Sequence, residues 1–150
     1  MTVITTKSAR ETQKIARILA KELRPSTRAQ VIALQGELGA GKTTFSQGFA
    51  HTLGVTERVL SPTFVLMKIY PLKKKHFSRL VHIDCYRITS PKDLAPLGIK
   101  EILTDPTAIV LIEWPERVKR IIPRDVVWIQ FIHGEKLRER VITMRPNVRK

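Results

Sequence analysis

One run of residues, GELGAGKT, constrains the fold of this chain more than any other feature. It matches the pattern GxxxxGK[ST], with Gly36, Gly41, Lys42 and Thr43 at the fixed positions. The glycines let the backbone curl so that several N–H groups point at phosphate oxygens. In such loops the lysine reaches the β- and γ-phosphates and the hydroxyl ligates magnesium. The sequence therefore predicts a phosphate-binding loop between a strand and a helix.

The residues on either side supply that strand and that helix. Val31 to Leu34 is an apolar run typical of a short buried strand, and a helix is predicted from near Lys42 to about Gly54. Adenine is favoured over guanine by exclusion, because Asn147 is the only asparagine and no Asn-Lys-x-Asp motif exists. We predict ATP and Mg²⁺ as cofactors, bound by the loop residues Glu37, Leu38, Gly39, Ala40, Gly41, Lys42, Thr43 and Thr44.

Two carboxylates follow apolar runs, at the places where strands are predicted to end. Asp84 ends LVHID and Glu113 ends IVLIE. Carboxyl ends of strands surround the ligand sites of α/β proteins. We expect both to face the magnesium with Thr43, directly or through water, and assign Lys42, Asp84 and Glu113 as the catalytic residues. The other interpretation is that one of the two carboxylates simply caps a strand end.

The remaining patterns predict one domain over residues 1–150. A capping box of Ser8 and Glu11 begins a helix that ends before Pro25. Further elements are predicted as strands at Phe64–Tyr70, Leu80–Asp84 and Ile109–Ile112, a helical turn at Ser90–Pro91, and a hairpin of Asp125–Ile132 with Arg138–Met144. The predicted fold is a P-loop NTPase-like α/β domain, a mixed twisted sheet flanked by helices.

The net charge of +14 indicates an anionic partner such as nucleic acid, or simply a basic surface. Basic residues concentrate in the run from Lys73 to Arg79 and again from Lys136 to Lys150. Cys85 is the only cysteine, which excludes an internal disulfide and any multi-cysteine zinc site. We expect a cytoplasmic protein, because no signal-peptide pattern and no apolar run of about 20 residues is present.

Short motifs follow one another along nearly the whole chain. They are Glu11-Thr12, GELGAGKTTF, SPTF at 61–64, HIDCYR at 82–87, GIKE at 98–101 and IEWPERV at 112–118. In this order they resemble the bacterial tRNA threonylcarbamoyladenosine biosynthesis ATPases, the TsaE or YjeE family. Cys85 and Lys100 depart from that pattern, where leucine and glutamate are commoner.

The resemblance implies slow ATP hydrolysis in association with the partner proteins TsaD and TsaB. In that family TsaD transfers a threonylcarbamoyl group to adenosine 37 of tRNAs that read ANN codons, and the ATPase acts in resetting the complex. By resemblance, Thr43 and Glu113 bind magnesium and Lys42 binds phosphate with the loop amides. Asp84 lies beside them and is needed for activity, and Thr12 approaches the adenine.

Several motif residues keep two interpretations each. Thr63 either senses the γ-phosphate as part of a switch segment or starts a strand. Tyr86 and Arg87 form a partner-facing or catalytic rim, or Arg87 makes a surface salt bridge. Trp114 either covers the site or packs in the core, and His82 is expected to be a structural histidine.

Two other functions remain open from the residues alone. One is a small-molecule P-loop kinase, which would need arginine-bearing lid and acceptor segments. The other is a nucleic-acid-binding protein that ATP switches between conformations, for which the +14 charge is the supporting feature. In the favoured interpretation the protein acts on tRNA through the TsaD–TsaB complex. The +14 charge also allows a direct contact between this protein and tRNA.

Overall fold

The computed structural model describes residues 1–146, which form a seven-stranded mixed sheet flanked by helices. The end of the basic run that begins at Lys136, residues 147–150, lies outside this described part. The strands are β1 (Thr2–Thr6), β2 (Gln30–Gly36), β3 (Met67–Pro71), β4 (Arg79–Asp84), β5 (Ala108–Glu113), β6 (Val127–His133) and β7 (Arg140–Pro146). The helices are α1 (Ala9–Glu22), α2 (Lys42–Thr52) and α3 (Ile99–Thr104), with 3₁₀ segments at Pro91–Leu97 and Pro115–Ile121.

Four parallel strands form the centre of the sheet. The strand order is β1-β7-β6-β2-β5-β4-β3, and β6, β2, β5 and β4 run parallel. Every residue of β5 is buried, as expected of a strand covered on both faces. The carboxyl ends of β2, β4 and β5 therefore meet at one edge of the sheet, where the glycine-rich loop also begins. The predicted α/β fold class is confirmed.

Two apolar clusters cover the two faces of the sheet. Phe45 and Phe49 of α2 pack with Phe131 of β6 on one face. On the other face Ile83 and Val110 belong to a cluster built with the 3₁₀ segments and α3. Within residues 1–146, none of the helices has the length and apolarity needed to cross a bilayer.

The first helix begins where the sequence predicts, but its cap differs in one half. The Ser8 hydroxyl accepts a hydrogen bond from the Glu11 N–H, as a capping box requires. The Glu11 carboxylate accepts from the N–H of Lys7 rather than from that of Ser8. Lys7 is the residue at which the chain turns from β1 into the helix, so its N–H lies nearer. The helix ends at Glu22, before Pro25, as predicted.

The strand predicted over Phe64–Tyr70 is wrong in its first half. β3 begins at Met67, and residues 63–65 form a turn in which the Phe64 side chain is 83% exposed. Leu66 has a left-handed backbone (φ 64°), which breaks the extended conformation at that point. Two short elements, β1 and α3, were not predicted at all. The helical turn after Ser90 and the C-terminal hairpin are both confirmed.

Helices α1 and α2 approach each other closely at a glycine. A Cβ added to Gly48 would lie 2.8 Å from both Cα and Cβ of Gln13. Real Cβ atoms essentially never come so close to a backbone atom. The absence of a side chain at this position therefore sets the distance between the two helices that cover one face of the sheet.

We expect Gly48→Ala to destabilise the protein, because the two helices must move apart. Overpacking of this kind costs about 1–3 kcal/mol, and it exceeds the gain of up to about 1 kcal/mol in helix propensity. Urea denaturation measures the difference. Gly54→Asn is the control, since Gly54 has φ +95° and open space around it and asparagine tolerates that backbone. A Gly48→Ala protein as stable as the wild type would contradict the tight packing.

Candidate functional site

The loop between β2 and α2 needs its glycines for two different reasons. Gly39 and Gly41 have φ values of 74° and 110°, which other residues rarely adopt. Gly36 is required by space, because a Cβ there would lie 2.7 Å from the carbonyl oxygen of Phe131. The loop thus rests directly on the neighbouring strand β6. Its curled path follows from the sequence.

Lys42 is the first residue of α2 and is only 5% exposed. Its ammonium donates hydrogen bonds to the carbonyl oxygens of Gly36 and of Glu37, the latter at 2.9 Å. Burial lowers the pKa of Lys42, and the nearby carboxylates of Glu113 and Asp84 oppose that shift. The lysine is therefore a buried cation held inside the loop and facing two anionic groups.

The two predicted carboxylates are neighbours across the sheet. Asp84 and Glu113 are paired in the parallel register of β4 and β5, and each is 2% exposed. Asp84 Oδ1 accepts a hydrogen bond from the Tyr86 N–H at 2.8 Å. Its Oδ2 accepts from the hydroxyls of Ser61 and Thr63, at 2.5 and 3.0 Å. The SPTF segment is thus fastened to the end of β4.

Glu113 is held from two sides. His82 Nε2 lies 2.9 Å from Oε1, and the Ser61 hydroxyl lies 3.3 Å from Oε2. Ser61 therefore stands between the two carboxylates. Because buried carboxylates repel each other, such donors are needed to keep both in one place.

Trp114 follows Glu113 and takes a left-handed backbone conformation (φ 57°) that is strained for a bulky residue. Its backbone N–H donates a hydrogen bond to the carbonyl oxygen of Leu34, near the end of the neighbouring strand β2. The centre of the indole ring lies 4.5 Å from Lys42 Nζ and 5.0 Å from the centre of the Tyr86 ring. Trp114 is half-buried, and the unusual backbone directs it toward the loop lysine.

These groups surround a cavity of about 530 Å³, a volume typical of ligand sites. Two predicted residues do not line it. Glu37 is exposed and lines a smaller neighbouring cavity, and Ala40 is buried in the core with its N–H donated to the carbonyl of Glu37. All other predicted site residues line it, including Thr12, whose hydroxyl bonds that of Thr6 at 2.9 Å.

The two motif residues that follow Cys85 have separate positions. Tyr86 lines the cavity, whereas Arg87 is exposed and its guanidinium lies 4.4 Å from the centre of the Phe64 ring. Arg87 thus belongs to the outer surface beside the turn at 63–65. Burial, with a smaller contribution from Asp84, raises the pKa of the Cys85 thiol to about 12.

Five residues that line the cavity were not assigned to the site from the sequence: Ser8, Ala9, Ser61, Arg138 and Arg140. Ser61 was noted only as part of a motif, and Arg138 and Arg140 only as part of a basic run. Both arginines line the cavity, and Arg140 Nη2 donates to the carbonyl oxygen of Gly39 at 3.1 Å. Only the pairing of β7 with β6 brings Arg140 to the loop, so the sequence near it carries no signal of this contact.

The donor set is one of hard oxygen atoms. Two carboxylates and the Thr43 hydroxyl suit Mg²⁺, which also keeps water and phosphate oxygens as ligands. Among residues 1–146 there is no group of three or more His, Cys, Asp or Glu side chains arranged to hold a metal ion. A magnesium ion here would therefore need oxygens from a bound phosphate as well.

The glycine-rich loop, the parallel strands and the flanking helices define an α/β protein with a P-loop NTPase-like fold. The pattern of the family described as "Threonylcarbamoyl adenosine biosynthesis protein TsaE" matches residues 6–142. The chain belongs to this family, and the resemblance noted from its motifs is confirmed.

Individual relatives agree with that assignment. The chain is 38% identical over 119 residues to the TsaE protein of Rickettsia typhi. The aligned region covers 79% of this chain and 77% of the relative. The chain is 36% identical over 123 residues to that of Treponema pallidum, covering 82% and 85%. The crystal structure of Bacillus subtilis YdiB superposes with a TM-score of 0.79 at 31% identity, covering 98% of this chain and 86% of that one.

Proposed function

We propose that this protein binds Mg-ATP in the cavity beside its glycine-rich loop and hydrolyses it slowly. The reaction serves threonylcarbamoylation of adenosine 37 in tRNAs that read ANN codons, together with the TsaD–TsaB complex. One observation carries the proposal. The cavity is lined by Lys42, Thr43 and two buried paired carboxylates, Asp84 and Glu113.

Each of these residues has a distinct task in the proposed reaction. Lys42 would turn from the loop carbonyls to the β- and γ-phosphates. Its hydrogen bonds to neutral carbonyl oxygens would then be replaced by stronger ones to charged phosphate oxygens. Thr43 and Glu113 would hold the magnesium ion, and the bound ion would offset the negative charge of the phosphates. Asp84 would order the water ligands of the ion, because its carboxylate is buried beside that of Glu113 at the end of the neighbouring strand.

The geometry supports the slow turnover that we propose for the protein alone. A water molecule that attacks the γ-phosphate needs a residue to orient it. Both candidate bases are already engaged, Asp84 with Ser61, Thr63 and the Tyr86 N–H, and Glu113 with His82. We infer that a partner protein completes the site or frees one of these carboxylates.

The surface beside the cavity supports a partner that senses the nucleotide. Phe64 and Val65 are 83% and 63% exposed and belong to the segment whose Ser61 and Thr63 bond Asp84. Exposed apolar groups of this kind mark interaction sites. A change at Asp84 on nucleotide binding would move this segment, which is the physical basis we propose for coupling to TsaD and TsaB.

We expect Lys42→Ala to lower ATP affinity by about 100-fold or more, because the charge that gathers the phosphates is lost. Glu113→Ala should lower phosphate release by about 100- to 1000-fold, as for loss of a group that stabilises the transition state. Purified proteins and a phosphate-release assay test both. Lys119→Ala, an exposed charge on the 3₁₀ segment, is the control. Unchanged rates in both site variants would refute the assignment, and ATP use that rises only with a hydroxylated metabolite would favour a kinase.

Co-purification with TsaD and TsaB should require ATP and fail for Lys42→Ala. Phe64→Ser should also weaken the complex, while the isolated variant keeps its slow hydrolysis. Leu137→Ser is the matched control, because Leu137 is 90% exposed and lies in the hairpin turn. A complex that forms equally well without nucleotide, or with Phe64→Ser, would argue against the proposed coupling.

A direct contact with tRNA is the second candidate, favoured by one surface. Lys73, Lys74 and Lys75 are exposed in the connection between β3 and β4. None of them has a carboxylate within 4.0 Å among the side chains of the described residues. Their charge is therefore free to act on a polyanion.

If these lysines bind tRNA, replacing all three by alanine should flatten the salt dependence of binding. Each lost phosphate contact reduces the slope of log K against log salt by about 0.7–0.9, so three contacts reduce it by about 2–3. Filter binding at several salt concentrations measures the slope. Lys14, Lys21 and Lys119, also replaced together, give a control with the same change in charge. If the two triple variants change the salt dependence equally, the lysines at 73–75 are not a specific tRNA site, and only non-specific attraction between tRNA and the basic protein remains.

A further inference from the structure

His82 is a polar residue in a place where a strand of this sheet would otherwise be apolar. It is 0% exposed, its neighbours Val81 and Ile83 are fully buried, and it pairs with Leu111 of β5. Buried polar side chains in native proteins nearly always have a partner. The partner of His82 is one atom of the candidate site, Glu113 Oε1, at 2.9 Å.

The hydrogen bond requires a proton on Nε2 of the His82 ring. A carboxylate can only accept, so Nε2 of His82 donates to Glu113. Nδ1 is buried and has no hydrogen-bond partner among the described residues. A proton on Nδ1 instead would leave an unpaired buried N–H and set two acceptors against each other. The arrangement therefore suits one tautomer of the ring.

This contact leaves the two oxygens of Glu113 with different roles. Oε1 interacts with the ring of His82, which is fully buried on β4 between β3 and β5. Oε2 is directed toward Ser61 and the cavity. A glutamate has three side-chain torsions, and a donor on a rigid strand removes most of that freedom.

We infer that His82 is a positioning residue, which holds Glu113 so that Oε2 is presented to the metal ion in the cavity. The inference rests on the proposed function, in which Glu113 is a magnesium ligand. Hydrogen-bond partners of metal ligands orient them, and their loss typically lowers metal affinity by 10- to 100-fold. His82 itself touches neither metal nor nucleotide.

The test replaces His82 in three ways. His82→Phe keeps an aromatic ring and removes the hydrogen-bond donor. His82→Asn places its amide nitrogen near the position of Nδ1, and its side chain is too short to reach Glu113. His82→Gln can bring an amide N–H to the position of Nε2. With ADP bound, Mn²⁺ serves as the probe, and its affinity is measured by electron paramagnetic resonance. ADP affinity in EDTA is measured in parallel.

We expect His82→Phe and His82→Asn to lose Mn²⁺ affinity by about 10- to 100-fold, with ADP affinity in EDTA unchanged. His82→Gln should recover a large part of the loss. Should His82→Phe fold poorly, the comparison of His82→Asn with His82→Gln still decides the matter. Equal Mn²⁺ affinity in all folded variants would overturn the inference.

A double-variant cycle separates positioning from a merely structural role. In a Glu113→Gln background, His82→Phe should have no further effect on Mn²⁺ affinity, because the oxygen it orients is already changed. Leu80→Val, also fully buried on β4, should lower thermal stability without altering Mn²⁺ affinity. If Glu113→Gln alone leaves Mn²⁺ affinity unchanged, the proposed metal role of Glu113 fails together with the inference. If Glu113→Gln lowers it and the His82 variants do not, only the inference fails.

Discussion

Two carboxylates buried side by side at the ends of β4 and β5 place the strongest demand on the rest of this structure. Asp84 and Glu113 are each 2% exposed, and burying charge without compensation is costly. The compensation comes from several chain segments at once. It consists of the Lys42 ammonium, the hydroxyls of Ser61 and Thr63, the Tyr86 N–H and the His82 ring. The site therefore depends on contacts from α2, the segment at 61–63, strand β4 and the residues that follow it.

The glycine-rich loop depends on the sheet in the same way. Gly36 lies against the backbone of Phe131, and Gly39 accepts a hydrogen bond from Arg140. Both partners belong to the hairpin of β6 and β7, which follows the loop by about 90 residues or more. The hairpin thus supports the loop from one side while α2 extends from its end. The local glycine motif specifies the conformation of the loop, and the distant hairpin fixes the position of the loop on the sheet.

Sequence reasoning succeeded where the signal is local and failed where it is not. The continuous apolar run of β5 and the glycine pattern of the loop each carry their structure in a few residues. The placement of Asp84 and Glu113 at one edge of the sheet could be expected because each ends an apolar run, whereas their pairing across β4 and β5 required the strand order. The turn at Phe64 could not be expected, because an apolar run of that kind equally fits a strand and the left-handed Leu66 leaves no sequence mark. Ser61 and Arg140 reach the site through tertiary contacts, so their roles required the strand order.

The exposed lysines at 73–75 and the buried carboxylate of Asp84 lie toward opposite ends of β4. The lysines at 73–75 precede β4, and Asp84 ends that strand, which has six residues. At a rise of about 3.3 Å per residue, the two ends are roughly 16 Å or more apart. This distance exceeds the Debye length of about 8 Å at physiological ionic strength. The surface lysines therefore contribute little to the electrostatic potential in the cavity, where the cationic side chains of the lining are Lys42, Arg138 and Arg140. A polyanion at the far end and a nucleotide in the cavity would not compete for the same cations.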